Sequence, residues 1–189
     1  MILFINACVR SNSRTKRLAD HLIAKLSDRQ VKEVRIWEME LPEVNEDFIN
    51  WRNECCSKND FSDPVFDPAK EFAAADTIVI AAPYWDLSFP SLLKRYLEQL
   101  CVVGLTFFYN EQNLPQGLCK AKKLYYVTTA GGPIISDAYG YGYIKETAQT
   151  FFNIPEFCQF KAEMLDIVGY DAEAILAETI REIDSSDLN

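Results

Sequence analysis

A short polar loop near the start of the chain combines the residue types that bind phosphate. Residues 10–17 hold four cationic side chains, the first of them Arg10, together with hydroxyl and amide side chains. The loop has no glycine, so it is neither a P-loop nor a dinucleotide-binding fingerprint. It leads into a helical pattern, where unpaired N–H groups and the helix dipole favour an anion, and Ser13, Arg14 and Thr15 can add donors. An ordinary capped helix with a solvated basic face explains the same residues equally well.

An aromatic turn after a later apolar run has the chemistry to cover a flat ligand. Residues 77–82 predict a buried strand, and residues 83–87 follow it directly. Open α/β sheets bind ligands at the carboxyl ends of their strands, where Tyr84, Trp85 and Leu87 are expected. A flavin fits this chemistry, because backbone N–H groups can donate to its N5 and O4 positions while aromatic faces cover the ring. The alternative is that the rings only pack beneath a loop, since most aromatic side chains serve the core.

A pair of glycines follows a third apolar run. Residues 124–129 predict another strand, and Ala130, Gly131 and Gly132 come directly after it. Because glycine adopts dihedral angles that other residues avoid, the N–H groups here can approach the pyrimidine edge of a flavin. They would stabilise negative charge at N1 and O2 of the reduced ring. The same glycines are also consistent with a simple turn.

The elements that must position these three loops alternate between strand and helix patterns. Strands are expected over residues 2–8, 31–37, 77–82, 124–129 and within 158–167, and helices over 15–27, 90–101, 143–152 and after the N-cap Asp171. Residues 40–68 are polar and irregular, with a possible short helix over 47–55, and are a candidate wall of the site.

This alternation predicts an α/β fold in which helices cover both faces of a parallel sheet. With five strands, the leading topology is a flavodoxin-like three-layer sandwich with strand order 2-1-3-4-5. In that order the loops after the first, third and fourth strands converge on one crevice. The whole chain, residues 1–189, is expected to form a single domain.

Composition and charge exclude several other classes of protein. With 49% hydrophobic and 25% charged residues the chain is too apolar for disorder, and a net charge of −9 argues against a nucleic-acid partner. No apolar run approaches the roughly 18 residues that a membrane span requires, and no signal-peptide pattern precedes the first strand. Membrane insertion is therefore not expected.

The cysteines and the single histidine leave little for a metal site. None of the six cysteines forms a C-x-x-C pair, and His21 is the only histidine, so no metal is expected. A chain of this length with a full core needs no disulfides. The default location is therefore the reducing cytoplasm.

Taken in order, these segments resemble the FMN-dependent NAD(P)H dehydrogenase (quinone) and azoreductase family of flavodoxin-like proteins. The resemblance runs through residues 13–15, 41–48, 82–94 and 128–132 and so extends over most of the chain. It implies FMN as the cofactor, with FAD less favoured, and NADH or NADPH as co-substrate. It also implies a small-molecule electron acceptor and a homodimer whose acceptor pocket lies at the subunit boundary.

The resemblance further assigns roles to individual residues. It implies phosphate contacts from Ser13, Arg14 and Thr15, ring contacts from the aromatic turn, and a pyrimidine edge at the two glycines. Asp86 stands where asparagine is common, and Cys8 stands where a small or hydroxylic residue is common. The full set of expected cofactor-binding residues is Arg10, Ser13, Arg14, Thr15, Pro83, Tyr84, Trp85, Asp86, Leu87, Thr129, Ala130, Gly131 and Gly132.

The activity implied is two-electron transfer from NAD(P)H to a quinone, an azo compound or a similar acceptor by a ping-pong mechanism. The flavin N5 carries the chemistry, so no catalytic side chain is expected. Gly140 and Gly142 suggest a mobile lid loop. Candidate walls for the acceptor, which core packing explains as well, are Phe48, Trp51, Tyr139, Tyr141 and Tyr143.

Two other functions remain open at this point. One is a flavodoxin-type electron carrier that binds FMN without an NAD(P)H site. The other is a flavodoxin-fold binding protein that holds no cofactor, for which Asp86 is the best hint, because a carboxylate disfavours an electron-rich ring. The aromatic turn and the long 40–68 segment favour an enclosed substrate site over the exposed ring edge of a carrier.

Overall fold

The computed structural model describes residues 1–26 and 29–188. Its strands are β1 (Ile2–Asn6), β2 (Val31–Arg35), β3 (Thr77–Ala81), β4 (Phe107–Tyr109), β5 (Pro115–Gly117), β6 (Lys123–Thr129) and β7 (Glu156–Ala162). Its helices are α1 (Arg14–Lys25), α2 (Glu46–Lys58), α3 (Asp67–Ala74), α4 (Ser91–Leu100), α5 (Tyr141–Phe152) and α6 (Ala172–Ser185). The expected elements are present with slightly shifted ends. The expected end of the first helix at residue 27 lies outside the described residues.

The main sheet confirms the predicted topology. Five parallel strands lie in the order β2-β1-β3-β6-β7, and β4 and β5 pair only with each other. With that small hairpin set aside, the order is the expected 2-1-3-4-5. Asn6 of β1 lies opposite Ala81 of β3, and Ala81 lies opposite Val127 of β6, so the three strands end at nearly the same level. Their following loops therefore meet at one edge of the sheet.

Helices cover both faces of this sheet. Residues of α1 and α6 pack with one set of alternate strand residues, which includes Phe4 and Val79. Residues of α3, α4 and α5 pack with the other set, which includes Ile5 and Ile80. Every residue of β1 and β3 is buried, as expected for strands covered on both faces. Three layers therefore hold the strand ends rigidly beneath the loops.

Local signals explain where the helices that flank the loops begin. The Ser13 hydroxyl caps α1 by accepting from the N–H of Lys16. The Asp171 carboxylate caps α6 by accepting from two N–H groups, which confirms the predicted N-cap. Pro90 immediately precedes α4, in keeping with the tolerance of helix starts for proline.

Three features differ from the expectations. Helix α3 begins with Asp67 and Pro68, because proline fits the first turn of a helix as well as it fits a loop. The β4–β5 hairpin was not predicted, since each of its strands is only three residues long. Of the two glycines expected in a mobile lid loop, Gly140 precedes α5, but Gly142 lies within it, and its N–H donates to the carbonyl of Asp137 at 2.7 Å.

No helix in residues 1–26 or 29–188 combines the length and the apolar character that a bilayer span requires.

Candidate functional site

A cavity of about 370 Å³ lies at the carboxyl ends of β1, β3 and β6. Its volume falls in the range of small-molecule binding sites, about 300–1,000 Å³. All of the predicted site residues line it except Asp86, Leu87 and Gly132. The lining consists of Cys8, Val9, Arg10, Asn12, Ser13, Arg14, Thr15, Pro83, Tyr84, Trp85, Thr129, Ala130, Gly131, Leu165 and Asp166.

The start of α1 supplies unpaired backbone donors at one end of this cavity. The Ser13 hydroxyl accepts from the N–H of Lys16 at 3.2 Å, and the Ser13 carbonyl accepts from the N–H of Arg17 at 3.1 Å. Within the part of the chain that the structure describes, the N–H groups of Arg14 and Thr15 have no acceptor. Two free N–H groups at a helix N-terminus form a ready binding point for an anion.

Acidic partners neutralise most of the cations in this loop. Arg14 donates to the carboxylate of Asp166 at 2.8 Å, Lys16 pairs with a neighbouring aspartate, and Arg17 pairs with Glu173 at 2.6 Å. Arg10 alone among the four has no ion pair with the described residues. Arg10 is therefore the one cation of this loop without an ion pair among the described residues, whereas the charge of Arg14 is already paired with a carboxylate.

A buried pair of hydroxyls connects the basic loop to the loop after β6. The hydroxyl oxygens of Thr15 and Thr129 lie 2.6 Å apart, and both residues are buried. The Thr15 hydroxyl, expected as a phosphate donor, is thus engaged with Thr129, while its backbone N–H is free. This bond fixes the spacing between two walls of the cavity.

The chain leaves β1 through a series of buried hydrogen bonds. The fully buried amide of Asn6 accepts from the N–H of Cys8 at 2.8 Å and donates to Glu33 at 2.7 Å. The Cys8 thiol then lies in the cavity wall, 3.6 Å from the carbonyl oxygen of Ala81. Burial raises the pKa of this thiol to about 11, so Cys8 is protonated at neutral pH and is not a nucleophile there.

The Cys8 thiol is expected to make the free energy of unfolding fall with pH above 9. Its pKa rises from 9.0 to about 11 on folding, mainly through burial, so the folded chain keeps a proton that the unfolded chain has lost. This stabilisation is complete below pH 9 and is lost as the pH rises through about 11. Denaturant unfolding at about pH 8 and about pH 10.5 measures the loss, which should be smaller in Cys8→Ala. Equal losses in the two proteins would contradict the assignment to Cys8.

The aromatic turn is a tight hairpin held at both ends. Trp85 and Ser88 exchange two backbone hydrogen bonds of 2.8 Å, and the residues between them, Asp86 and Leu87, have φ angles of 49° and 69°. Positive φ at both central residues defines a type I′ turn. Aspartate tolerates this conformation, whereas leucine rarely adopts it. The turn is therefore strained at Leu87.

Hydrogen bonding decides which donors of the aromatic turn remain free. The N–H of Tyr84 donates to the carbonyl of Thr129 at 2.9 Å, and that of Trp85 donates to Ser88. The N–H groups of Asp86 and Leu87, at the tip, have no acceptor among the described residues. The Tyr84 hydroxyl is also buried without a hydrogen-bond partner. Tyr84, a lining residue, thus carries a polar group that no described residue satisfies.

Backbone hydrogen bonds join the loop after β6 to the segment after β7. The N–H of Ala130 donates to Ala162, while the carbonyls of Ala130 and Gly131 accept from the N–H groups of Leu165 and Asp166. The N–H groups of Gly131 and Gly132 are left without acceptors in residues 1–26 and 29–188. A Cβ on Gly131 would lie 2.4 Å from the Asp166 carboxylate, so glycine is needed while Asp166 keeps its pairing with Arg14.

Leu165 and Asp166 line the cavity but were not among the predicted site residues. They follow the last strand, far along the chain from the other three loops, and no motif marks them. They reach the cavity only because β7 lies beside β6 and carries its following segment against the glycine loop.

The aromatic residues proposed as acceptor walls lie elsewhere. Trp51 stacks on Phe66 with ring centroids 5.7 Å apart, and Tyr143 contacts Phe89 at 5.8 Å. None of the five proposed rings, and nothing from residues 40–68, is part of the cavity lining. Tyr139 is the nearest to the expected role, because its carbonyl accepts a hydrogen bond from Ser88 of the aromatic turn.

A parallel sheet of this strand order, with a ligand cavity over the ends of its first, third and fourth parallel strands, defines a flavodoxin-like α/β protein. Residues 1–185 match the family described as flavodoxin-like fold, and the chain belongs to that family.

Relatives of known name support the resemblance found in the sequence. The chain is 31% identical over 192 residues to "FMN-dependent NADH:quinone oxidoreductase" of Coprothermobacter proteolyticus, with 96% of this chain and 94% of that protein covered. It is 43% identical over 119 residues to "FMN-dependent NADH:quinone oxidoreductase 2" of Clostridium acetobutylicum. That second match spans 60% of this chain and 58% of the relative.

A solved structure agrees with the fold as well. The crystal structure of an azoreductase from Bacillus anthracis superimposes with a TM-score of 0.83 at 24% identity. The superposition covers 96% of this chain and 95% of that one. At this identity the likeness concerns the fold.

Proposed function

We propose that the cavity binds FMN and that the protein transfers electrons from NADH to a quinone or an azo compound. The observation that carries the proposal is one cavity whose ends differ in chemistry. One end has free helix N–H groups and the unpaired cation Arg10, and the other has an aromatic turn and a glycine loop. The names of the two NADH:quinone oxidoreductases and of the azoreductase support the same assignment.

The free polar groups fit the parts of FMN. The N–H groups of Arg14 and Thr15, with the charge of Arg10, would hold the phosphate. The tip N–H groups of Asp86 and Leu87 would donate to the N5 and O4 edge of the ring. The N–H groups of Gly131 and Gly132 would face the pyrimidine edge of the ring, where N1 and O2 accept hydrogen bonds. Pro83, Tyr84 and Trp85 would lie against the ring.

Bound FMN would supply the redox chemistry for passing two electrons from NADH to the acceptor in a ping-pong sequence. The protein would contribute binding and electrostatics. Free N–H groups at Gly131 and Gly132 would stabilise negative charge at the pyrimidine edge. The carboxylate of Asp86 opposes that charge, but Asp86 is exposed, so water screens it. No protein nucleophile is required.

Exposed apolar side chains on and beside the aromatic turn form a rim, which supports a place for the acceptor and for a partner subunit. Trp85, Leu87 and Tyr139 are between 40% and 62% exposed, and the Tyr139 carbonyl bonds to Ser88. We propose that planar acceptors bind beside Trp85 and Leu87 and that residues 1–189 form one domain of a homodimer that covers this rim. Six free cysteines support a reducing, cytoplasmic location.

The absorption spectrum of the purified protein tests this function. We expect flavin bands, either as isolated or after FMN is added, and these bands should bleach when NADH is added without oxygen. Steady-state oxidation of NADH with varied quinone should give parallel double-reciprocal plots, as a ping-pong sequence requires. NADPH serves as the matched donor and should act more slowly.

Two results would contradict the proposal in different ways. Bound FMN that neither nucleotide bleaches would indicate an electron carrier. A protein that fails to bind FMN would indicate a cofactor-free binding protein of the same fold. Each rival function predicts a distinct spectrum, so one sample separates all three.

A further inference from the structure

A second cavity, of about 220 Å³, lies between the segment after β2 and the start of α3, beside α4. It shares no lining residue with the cavity described above. The segment after β2 contributes Met39, Leu41 and Pro42, and the segment at the start of α3 contributes Pro64, Val65 and Pro68. These six side chains give the cavity apolar walls, which share the lining with polar residues.

The wall beside α4 is fixed in place. Arg95 of α4 donates to the carbonyl oxygens of Leu41 and Pro42 at 3.1 and 3.4 Å. The backbone that forms this wall is thereby tied to the helix that contributes Gln99 to the same cavity. A cavity with a fixed wall is a formed binding site, because a ligand need not organise it.

Gln99 is the polar group of this cavity. It is only 5% exposed, and its side-chain amide makes no hydrogen bond to any described residue. A primary amide carries two N–H donors and a carbonyl acceptor. The atoms of the Gln99 amide are not fully enclosed, so they reach the cavity that Gln99 lines, where a ligand can pair with them.

The charges around the cavity balance. Glu40, Asp67 and Glu71 line it, and within the described residues Asp67 pairs with Lys70 and Glu71 with Lys32. Glu40 has no ion pair in that part of the chain, and the guanidinium of Arg95, which holds the wall of Leu41 and Pro42, carries the opposite charge. The site therefore offers no excess charge to an ion, whereas a neutral molecule needs none.

We propose that this cavity binds a small neutral aromatic carboxamide. The ring would lie between the apolar walls, and its primary amide would exchange two hydrogen bonds with the amide of Gln99, each donating one and accepting one. The volume suits a single ring rather than a flavin. This inference is independent of the proposed FMN site.

Titration of the protein with benzamide, in the presence and in the absence of added FMN, tests the proposal by nuclear magnetic resonance. Gln99→Leu identifies the side-chain NH₂ signals of Gln99, because only those are lost. In the unchanged protein these signals should shift saturably with benzamide, and benzoate, which has the same ring but a negative charge, should shift them far less. The affinity measured from backbone signals around the cavity should fall about tenfold in Gln99→Leu.

Two controls keep the test decisive. Gln112→Leu changes an exposed glutamine and should leave benzamide binding intact. Val65→Phe fills the cavity and should abolish binding even if Gln99→Leu were to perturb the fold. Unmoved Gln99 signals, as expected if only water pairs with the amide, would overturn the proposal, and so would equal affinity in Gln99→Leu. Signals that shift around Trp85 instead would place benzamide in the flavin cavity and would also overturn it.

Discussion

Replacing Arg14 by proline is expected to weaken FMN binding about 10- to 100-fold more than replacing it by alanine. Both changes remove the guanidinium group, but only proline also removes the backbone N–H that we assign to the phosphate. A hydrogen bond to a charged group contributes about 1.5–3 kcal/mol, which sets this range. Fluorescence titration with FMN measures the difference directly.

The helix should tolerate this proline, so the comparison isolates the N–H group. Arg14 is the first residue of α1, the position where proline is most favourable. Ser13, which precedes it, is already extended, with φ −64° and ψ 121°, as the residue before a proline must be. Riboflavin, which lacks the phosphate, is the matched ligand and should bind both variants equally. Equal FMN affinity in the two variants would show that the Arg14 N–H group does not bind the phosphate.

Replacing Gly117 by alanine is expected to reduce the free energy of unfolding by about 3 kcal/mol. A Cβ at this position would lie 2.3 Å from backbone atoms of both Phe152 and Asn153, where α5 ends. Backbone cannot move aside as a flexible side chain can, so β5 must separate from α5. The expected fall in Tm is roughly 6–12 °C for a chain of this size.

Gly132→Ala is the matched control for this measurement. Nothing lies within 4 Å of a Cβ at Gly132, so the same change of one methyl group should alter stability by less than about 0.5 kcal/mol. Both proteins are compared by thermal unfolding without FMN. Similar melting temperatures for Gly117→Ala and the unchanged protein would mean that the hairpin does not pack tightly on α5.

The strands at the centre of the sheet could be predicted because they are buried on both faces. The runs that became β1, β3 and β6 are almost wholly apolar, and short apolar runs between turn signals are typical of buried parallel strands. Residues 31–37 carried a weaker signal, and β2 lies at the edge of the sheet, where only Val34 of its residues is buried. Helix α3, with proline in its first turn, and the β4–β5 hairpin, with strands of three residues, escaped prediction because such short elements carry the same local signals as loops.

The candidate site was predictable only where a loop directly follows a strand. Strand order alone brings Ser13, Trp85 and Gly131 to one cavity, and each stands just beyond a recognisable element. The roles of the hydroxyl groups were harder to predict from the sequence. Thr15 was expected to face a phosphate, yet its hydroxyl bonds to Thr129. That pairing depends on how two loops approach each other, which no local pattern records.

The wall formed by Leu165 and Asp166 has a consequence for synthesis of the protein. Both residues leave the ribosome after every other residue of the cavity, and they hold the glycine loop through backbone bonds. A nascent chain that ends before Asp166 therefore lacks the partner of Arg14 and the support of Gly131. Capture of a ligand in the finished cavity must wait until Asp166 has been translated.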